Sequence, residues 1–212
     1  MTDYTPVLDM MLSGDGDKLV ALVKEMLDGG MPAHEVLNKG LIAGMDVIGG
    51  KMESGEMFIP EVIMSAQAMG CAVEILKPLL SEEDTSAAGT IVLGTVKGDL
   101  HDIGKNLVHM MLESAGFNII EMGVDVAPES FVEAAKEHNA DIVALSALLT
   151  TTMPMMRQTV QTFEESGFRD KVKILVGGAP VNQEFADEIG ADGYAPDAGS
   201  ATKLAKSVMA AG

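Results

Sequence analysis

The sequence predicts an α/β protein in which an N-terminal four-helix bundle precedes a doubly wound, five-stranded parallel sheet. From Thr5 to about Glu82, apolar side chains recur three and four positions apart, as they do on one face of a helix. Beyond residue 89, short β-branched runs alternate with helical segments. Right-handed crossovers turn such an alternation into a parallel sheet covered by helices on both faces.

The helical half contains four segments joined by short connections. The first carries Val7 and Met11, and the second ends at Gly29 and Gly30. Pro32 opens the third segment, and Pro60 lies in the first turn of the fourth, which runs to about residue 80. Short connections between four amphipathic helices favour a small antiparallel bundle. Cys71, among apolar neighbours in the fourth segment, is expected to be a small core residue.

The stretch 81–89 is polar and rich in small residues, and the apolar period changes after it. We therefore predict a linker here, between a helical domain at 1–84 and a second domain at 85–212.

The second domain is predicted to contain five strands, each followed by a helix. The strands are expected at 90–96, 118–123, 141–148, 172–178 and 191–195, and the helices at 103–115, 128–138, 153–166, 182–189 and 199–210. The commonest winding for this arrangement has the strand order 2-1-3-4-5. That order predicts a ligand crevice at the carboxyl ends of the first and third strands.

Charge and composition exclude several classes of partner. The chain has 14 Lys and Arg residues against 32 Asp and Glu, and its net charge of −18 repels nucleic-acid phosphates and anionic lipids. A single cysteine cannot form an internal disulfide. The N-terminus lacks the basic and apolar regions of a signal peptide, and apolar runs are shorter than the roughly 20 residues that span a bilayer. We expect a cytoplasmic protein with neither nucleic-acid nor membrane partners.

The loop after the first strand carries Asp99, His101 and Gly104. A metal-bound imidazole commonly donates its other N–H to a carboxylate, which an Asp two residues away can supply. One His and one Asp make a poor zinc site, because zinc takes three or four protein ligands. A single axial ligand to a metal already held in a macrocycle is a better match. The alternative is that Asp99 caps the following helix and His101 is an ordinary loop residue.

Two further fragments are predicted to reach the same edge of the sheet. Forty-one residues (105–145) separate Gly104 from Ser146, and 28 (149–176) separate Leu148 from Gly177. These lengths place Ser146 and the pair Gly177–Gly178 at the carboxyl ends of the third and fourth strands. Two glycines leave a slot that suits a long, flat group. The alternatives are a tight turn at the glycines and a Ser146 hydroxyl satisfied by backbone.

Joined at these spacings, Asp-x-His-x-x-Gly, Ser-x-Leu and Gly-Gly resemble the signature of cobalamin-binding domains that take the cofactor base-off, with a protein histidine on cobalt. A preceding helical bundle is similar to the capping module of methionine synthase and of small corrinoid proteins of methyltransferase systems. The segments SALLTTTM, VGGAPV and GADGYAPDA resemble in particular the corrinoid carriers for methanol, methylamine, betaine or methoxyaromatic demethylation.

The resemblance implies a role for each matching residue. His101 would be the lower axial cobalt ligand, Asp99 its hydrogen-bond partner, and Thr152 the hydroxyl of the relay, at a position where methionine synthase has a serine. Ser146 would meet the displaced dimethylbenzimidazole nitrogen and Thr150 the corrin periphery. The other implied cofactor contacts are Leu100, Asp102, Ile103, Gly104 and Leu148 around the axial ligand, Gly177, Gly178 and Ala198 at the nucleotide tail, and Phe58 and Val62 in the helical cap.

The implied function is a methyl carrier. Bound cobalamin would carry a methyl group on cobalt between a substrate-specific methyltransferase and a second methyltransferase that serves a folate or a thiol coenzyme. A reductive activase is a possible further partner, and the chain alone would not be catalytic. One departure is Gly44, where methionine synthase has a glutamate near the corrin. The alternative function is a cobalamin-dependent sensor or regulatory module, although such proteins carry an added basic DNA-binding region that the sequence lacks.

Overall fold

The computed structural model describes residues 3–80 and 88–210. The chain divides into two compact units, Met1–Ser86 and Ala87–Gly212. Most of the predicted linker, 81–89, lies outside the described residues.

The first unit is helical, as predicted. Its helices are α1 (Thr5–Ser13), α2 (Gly16–Asp28), a third rod made of α3 (Ala33–Glu35), a π-helical segment (Val36–Ile42) and α4 (Ala43–Glu53), and finally α5 (Ile59–Leu76) with a 3₁₀ turn at Lys77–Leu79. The π-helical segment departs from the prediction, which was an ordinary α-helix. An apolar period of three and four residues does not distinguish the two kinds of helix. Within this segment the Asn38 side-chain amide donates to the carbonyl of His34 at 2.9 Å.

Helix α5 packs against α1, α2 and α4. Its buried side chains include Val62, Ala66, Met69 and Leu76, which follow the helical period. The prediction that Cys71 belongs to the core is wrong, since it is exposed. Helix α5 is apolar around most of its circumference, so its sequence did not reveal which face is buried.

One described helical stretch, Ile59–Leu79, is long and apolar enough to cross a membrane by length and composition, and 39% of its most apolar window is buried. Core helices of globular proteins meet the same criteria, so this is weak evidence for a span.

The second unit is a five-stranded sheet in which each strand is followed by a helix, as predicted. The strands are β1 (Thr90–Thr95), β2 (Asn118–Glu121), β3 (Ile142–Ser146), β4 (Lys173–Gly177) and β5 (Gly193–Ala195), and the helices are α6 (Ile103–Ser114), α7 (Pro128–Glu137), α8 (Met153–Glu165), α9 (Gln183–Ile189) and α10 (Ala198–Ala210). All strand pairs are parallel, in the order β2-β1-β3-β4-β5. The predicted doubly wound fold and strand order are confirmed.

Helices cover both faces of this sheet. Phe131 of α7 and Met156 and Phe163 of α8 form one core with β-strand side chains, while Leu112 of α6 and Ala205 of α10 belong to a second. All five side chains are almost completely buried. Because both faces are buried, the central strands are continuously apolar. Their positions could therefore be predicted from the sequence.

Candidate functional site

The register of the sheet brings the sequence motifs to one edge. Thr95, the last residue of β1, is level with Ser146 of β3, and Ser146 is level with Gly177 of β4. The loops that leave these three strands are therefore neighbours. The structure thus brings together the Asp99–Gly104, Ser146–Thr152 and Gly177–Gly178 fragments at the carboxyl ends of adjacent strands.

Asp99 is the buried centre of this edge, with no exposed surface. Its Oδ1 accepts a hydrogen bond from the His101 backbone N–H at 3.1 Å and lies 2.7 Å from His101 Nδ1. Its Oδ2 accepts from the N–H groups of Leu148 at 2.8 Å and Leu149 at 3.3 Å, and from the Thr152 hydroxyl at 2.8 Å. Five donors therefore surround one carboxyl group.

These hydrogen bonds determine the protonation state of Asp99. Burial acts to raise the pKa of the carboxyl, but the hydrogen bonds that it accepts, led by that from the Leu148 N–H, outweigh burial and hold the pKa well below its usual range. Asp99 is therefore ionised at neutral pH. An ionised carboxylate is an acceptor only, so His101 Nδ1 carries the proton in the hydrogen bond between them.

The His101 ring combines a fixed edge with a free one. Its side chain is 50% exposed while the partner carboxylate is fully buried. Because Nδ1 donates to Asp99, the lone pair of Nε2 is left for a ligand. The backbone is held as well, since the buried Thr95 hydroxyl donates to the His101 carbonyl at 2.9 Å. This arrangement is expected of an imidazole that binds a metal through one ring nitrogen while the other ring nitrogen donates to a carboxylate and so sets the orientation of the ring.

Thr152 lies at the start of α8 and is 5% exposed. Its hydroxyl oxygen is 2.8 Å from Asp99 Oδ2 and 2.9 Å from the Leu149 carbonyl. The hydroxyl has one proton, and charge favours donation to the carboxylate. Thr152 is thus connected to His101 through Asp99, which is the order that the resemblance implied; its part in catalysis remains a prediction.

The two glycines after β4 lie against neighbouring backbone. At Gly178, φ is +130°, and an added Cβ would lie 1.8 Å from the Ala147 carbonyl oxygen. A Cβ at Gly177 would lie 3.0 Å from the Ala195 carbonyl oxygen. Close backbone approach therefore accounts for both glycines without a ligand, so the turn alternative is sufficient here, and a slot for a nucleotide tail stays a prediction.

Gly104 is different. It is exposed in the first turn of α6, and an added Cβ would meet no atom within 4 Å. Nothing in the described part of the chain requires a glycine there, although glycine is unfavourable in a helix. Open space beside His101 is what a bound group could occupy.

Four exposed apolar side chains belong to the two loops that meet at Asp99: Leu100 and Ile103 near His101 in sequence, and Leu148 and Leu149 after β3. Leu100 is 72% exposed and Ile103 is 86% exposed, while Leu148 and Leu149 are exposed by about two-fifths. Exposed apolar clusters of this kind mark binding surfaces. Asp102 and Thr150 are also exposed at this edge.

The remaining predicted residues are placed as follows. Ser146 is half-buried at the end of β3, and no hydrogen bond of its hydroxyl is found among the described residues. Ala198 is buried at the first residue of α10. In the helical unit, Phe58 is 70% exposed immediately before α5 and Val62 is fully buried within it. Their contacts with a cofactor stay predictions.

Sequence reasoning missed several residues that support the site. Besides Thr95, these include Asp125, whose φ is +57°. Its side chain accepts from the Gly98 N–H at 2.7 Å, and its own N–H donates to the Asp99 carbonyl at 3.0 Å. An isolated Asp in a loop gives no signal of such a role, because its side-chain contact joins residues 27 positions apart. A buried lysine, Lys105, was also missed.

The donor set fits a group that brings its own equatorial ligands. Among residues 3–80 and 88–210, no cluster of three or more His, Cys, Asp or Glu residues could hold a metal ion. His101 offers one nitrogen, beside exposed apolar side chains and the open space at Gly104. A corrinoid meets these conditions, because its macrocycle already coordinates the cobalt and needs only an axial ligand.

Comparisons with known proteins agree with this fit. A family model described as a B12 binding domain matches residues 89–203, and a second model with the same description matches residues 5–77. Dimethylamine corrinoid protein 1 of Methanosarcina acetivorans is 48% identical over 195 residues, covering 92% of this chain and 91% of that protein.

Two solved structures are similar over nearly the whole chain. A cobalamin-binding protein from Desulfitobacterium hafniense DCB-2 has 33% identity and a TM-score of 0.83, covering 97% of this chain and 98% of its own. The methanol:cobalamin methyltransferase complex MtaBC from Methanosarcina barkeri has 30% identity and a TM-score of 0.86, covering 99% of this chain and 80% of the matched chain. With B12-binding models matching both units and a close relative over nine-tenths of its length, the chain belongs to the B12-binding corrinoid protein family, and its cofactor is cobalamin.

Proposed function

We propose that this chain binds cobalamin base-off with His101 Nε2 as the axial ligand, and that it carries a methyl group between two methyltransferases. The observation that carries the proposal is the half-exposed His101 imidazole, whose Nδ1 is fixed 2.7 Å from a fully buried carboxylate. When bound, the corrinoid supplies a cobalt centre that accepts a methyl group and gives it up again.

The residues of this chain have separate tasks in this proposal. Asp99 holds the proton on His101 Nδ1 and so keeps the Nε2 lone pair available, while Thr152 donates to the other oxygen of the carboxylate. The exposed apolar side chains of Leu100 and Ile103 exclude water from the face of the bound macrocycle.

The proposed methyl source is a methylated amine. This rests on the relative from Methanosarcina acetivorans, whose name refers to dimethylamine. The proposed partners are a substrate-specific methyltransferase and a second methyltransferase that passes the methyl group to a folate or thiol coenzyme. The net charge of −18 favours partners with basic docking faces.

Absorption and electron paramagnetic resonance spectra of the reconstituted protein test the axial ligand. We expect the base-off, His-on form in the wild type, with a nitrogen splitting of the Co(II) signal, and loss of that splitting in His101→Ala. His138→Ala is the matched control, because His138 is an exposed histidine at the end of α7. A His101→Ala spectrum identical to that of the wild type would reject His101 as the ligand.

Methyl transfer is tested with the reduced holoprotein in two arms: a purified methylamine methyltransferase with dimethylamine or trimethylamine, and a purified methanol methyltransferase with methanol. We expect methylation of the cofactor, followed by absorbance, with an amine but not with methanol. Methylation only with methanol would contradict the proposed donor while leaving the carrier function intact.

A further inference from the structure

A buried lysine, not used by the function described so far, lies one helical turn beyond His101. Lys105 is in the first turn of α6 and is 4% exposed. Its ammonium lies 2.5 Å from Glu121 Oε1, at the end of β2, and donates to Asn106 Oδ1 at 2.8 Å. Burying a lysine is costly unless it is paired, and a Met or Leu would fill the same volume without that cost.

Glu121 links this ion pair to neighbouring backbone. Its Oε1 also accepts from the Gly123 N–H at 2.9 Å, and its Oε2 lies 3.1 Å from His109 Nδ1. The Gly123 carbonyl in turn accepts from the Thr95 N–H at 3.0 Å. The carboxylate therefore ties the start of α6 to the loop after β2, and that loop to the end of β1.

The connection returns to the axial histidine. The Thr95 hydroxyl donates to the His101 carbonyl at 2.9 Å, and Lys105 follows His101 by four residues. A closed ring of contacts thus runs from His101 through Thr95, Gly123 and Glu121 to Lys105, and back along the chain to His101. Each contact in the ring is directional, so together they fix where the His101 backbone stands relative to the sheet.

We propose that Lys105 and Glu121 are positioning residues for the axial histidine. Their ion pair acts on the backbone that carries His101, whereas Asp99 acts on its ring. This inference rests on the proposed His101 ligation and extends it to two residues that touch neither the imidazole nor, in the proposal, the corrinoid.

The test uses the full-length holoprotein and the pH at which the bound cofactor releases its axial imidazole, read from the absorption spectrum. Loss of a residue that orients a metal ligand typically weakens coordination by 10-fold or more. We expect Lys105→Met to weaken imidazole coordination by about tenfold, and so to raise the release midpoint by about one pH unit, because a proton competes for Nε2.

A double variant, Lys105→Met/Glu121→Gln, separates positioning from stability. It leaves no unpaired charge and keeps a side-chain acceptor for the Gly123 N–H, so the sheet and α6 are expected to fold. We expect the raised midpoint to persist in this variant. The control is Arg157→Met, which breaks an exposed ion pair of similar length, 2.7 Å to Glu188, between α8 and α9; its midpoint is expected to equal that of the wild type.

Each outcome has one meaning. A folded double variant with the wild-type midpoint would overturn the positioning role and leave Lys105 as a structural residue only. Absence of a His-on spectrum in the wild type would instead reject the proposed axial ligation itself. A midpoint raised equally in Arg157→Met would also overturn the inference, since the effect would then not be specific to this ion pair.

Discussion

Replacing Gly104 with alanine separates what the fold requires from what the cofactor requires. An added Cβ at this exposed first-turn position of α6 meets nothing within 4 Å. Glycine within a helix costs about 0.5–1 kcal/mol relative to alanine, and less near the ends. We therefore expect the apoprotein of Gly104→Ala to be as stable as the wild type, or more stable by up to about 0.5 kcal/mol.

Cobalamin binding is expected to respond in the opposite direction. If the corrinoid occupies the open space beside His101, the new methyl group overlaps it, at a cost of about 1–3 kcal/mol. That cost corresponds to a dissociation constant roughly 5- to 150-fold higher. Gly178→Ala is the contrasting variant, since its Cβ would lie 1.8 Å from the Ala147 carbonyl oxygen at a φ of +130°. Strain and overlap there should destabilise the apoprotein by about 2–5 kcal/mol.

Two measurements test whether the cofactor occupies the space beside Gly104. Urea unfolding of the apoproteins, followed by far-ultraviolet circular dichroism, gives the stability of each variant, and equilibrium dialysis gives the cobalamin affinity. We expect Gly104→Ala to have unchanged or slightly higher apoprotein stability with weaker cobalamin binding, and Gly178→Ala to have lower apoprotein stability. Wild-type affinity in Gly104→Ala would refute the assignment of this space to the cofactor.

Two further changes test the buried carboxylate and its hydroxyl partner. Thr152→Val should cost about 1–2 kcal/mol in apoprotein stability and weaken imidazole coordination, whereas Thr152→Ser should restore both, and exposed Thr151→Val should change neither; urea unfolding and cofactor spectra check this. Because the folded-state pKa of Asp99 is depressed, its stabilising contribution is fully present above the unfolded value of about 3.9 and is lost as pH falls below it. Unfolding midpoints between about pH 5 and 2 should therefore fall more steeply in the wild type than in Asp99→Asn. The same pH dependence of the unfolding midpoint in both proteins would contradict the stabilising role of the ionised Asp99.

The strand order and the meeting of the three motifs could be predicted from the sequence because both depend on simple quantities. Apolar runs buried on two faces locate the central strands, and the crossover rule orders them. Segment lengths then place Ser146 and Gly177 level with the end of β1, as the observed register has them. The π-helical segment at Val36–Ile42 and the exposure of Cys71 could not be predicted, because neither changes the apolar period.

Contacts between the site and residues distant in sequence could mostly not be predicted. Lys105 directly follows Gly104 of the Asp-x-His-x-x-Gly motif. A lysine in an amphipathic helix is nevertheless expected on the solvent face, so its burial was not predicted. Only the position of Glu121 at the end of the neighbouring strand makes its burial possible. This contact depends on the side-chain geometry between helix α6 and strand β2, which residue spacing does not determine.

The contacts of Asp99 show how sheet register produces the site. The hydrogen bonds that Asp99 accepts from His101 span two residues, so the spacing Asp-x-His is enough to predict them. Those from Leu148 and Thr152 span 49 and 53 residues and depend on Thr95 lying level with Ser146. A shift of one residue between β1 and β3 would move the loop after β3 by about 3.3 Å and turn its alternate side chains to the other face. The Leu148 N–H would then leave the carboxylate, and Asp99 would lose the hydrogen bond that contributes most to its low pKa. The apolar burial that fixes the register of the central strands therefore also fixes the charge of Asp99 and, through it, the imidazole nitrogen that His101 presents.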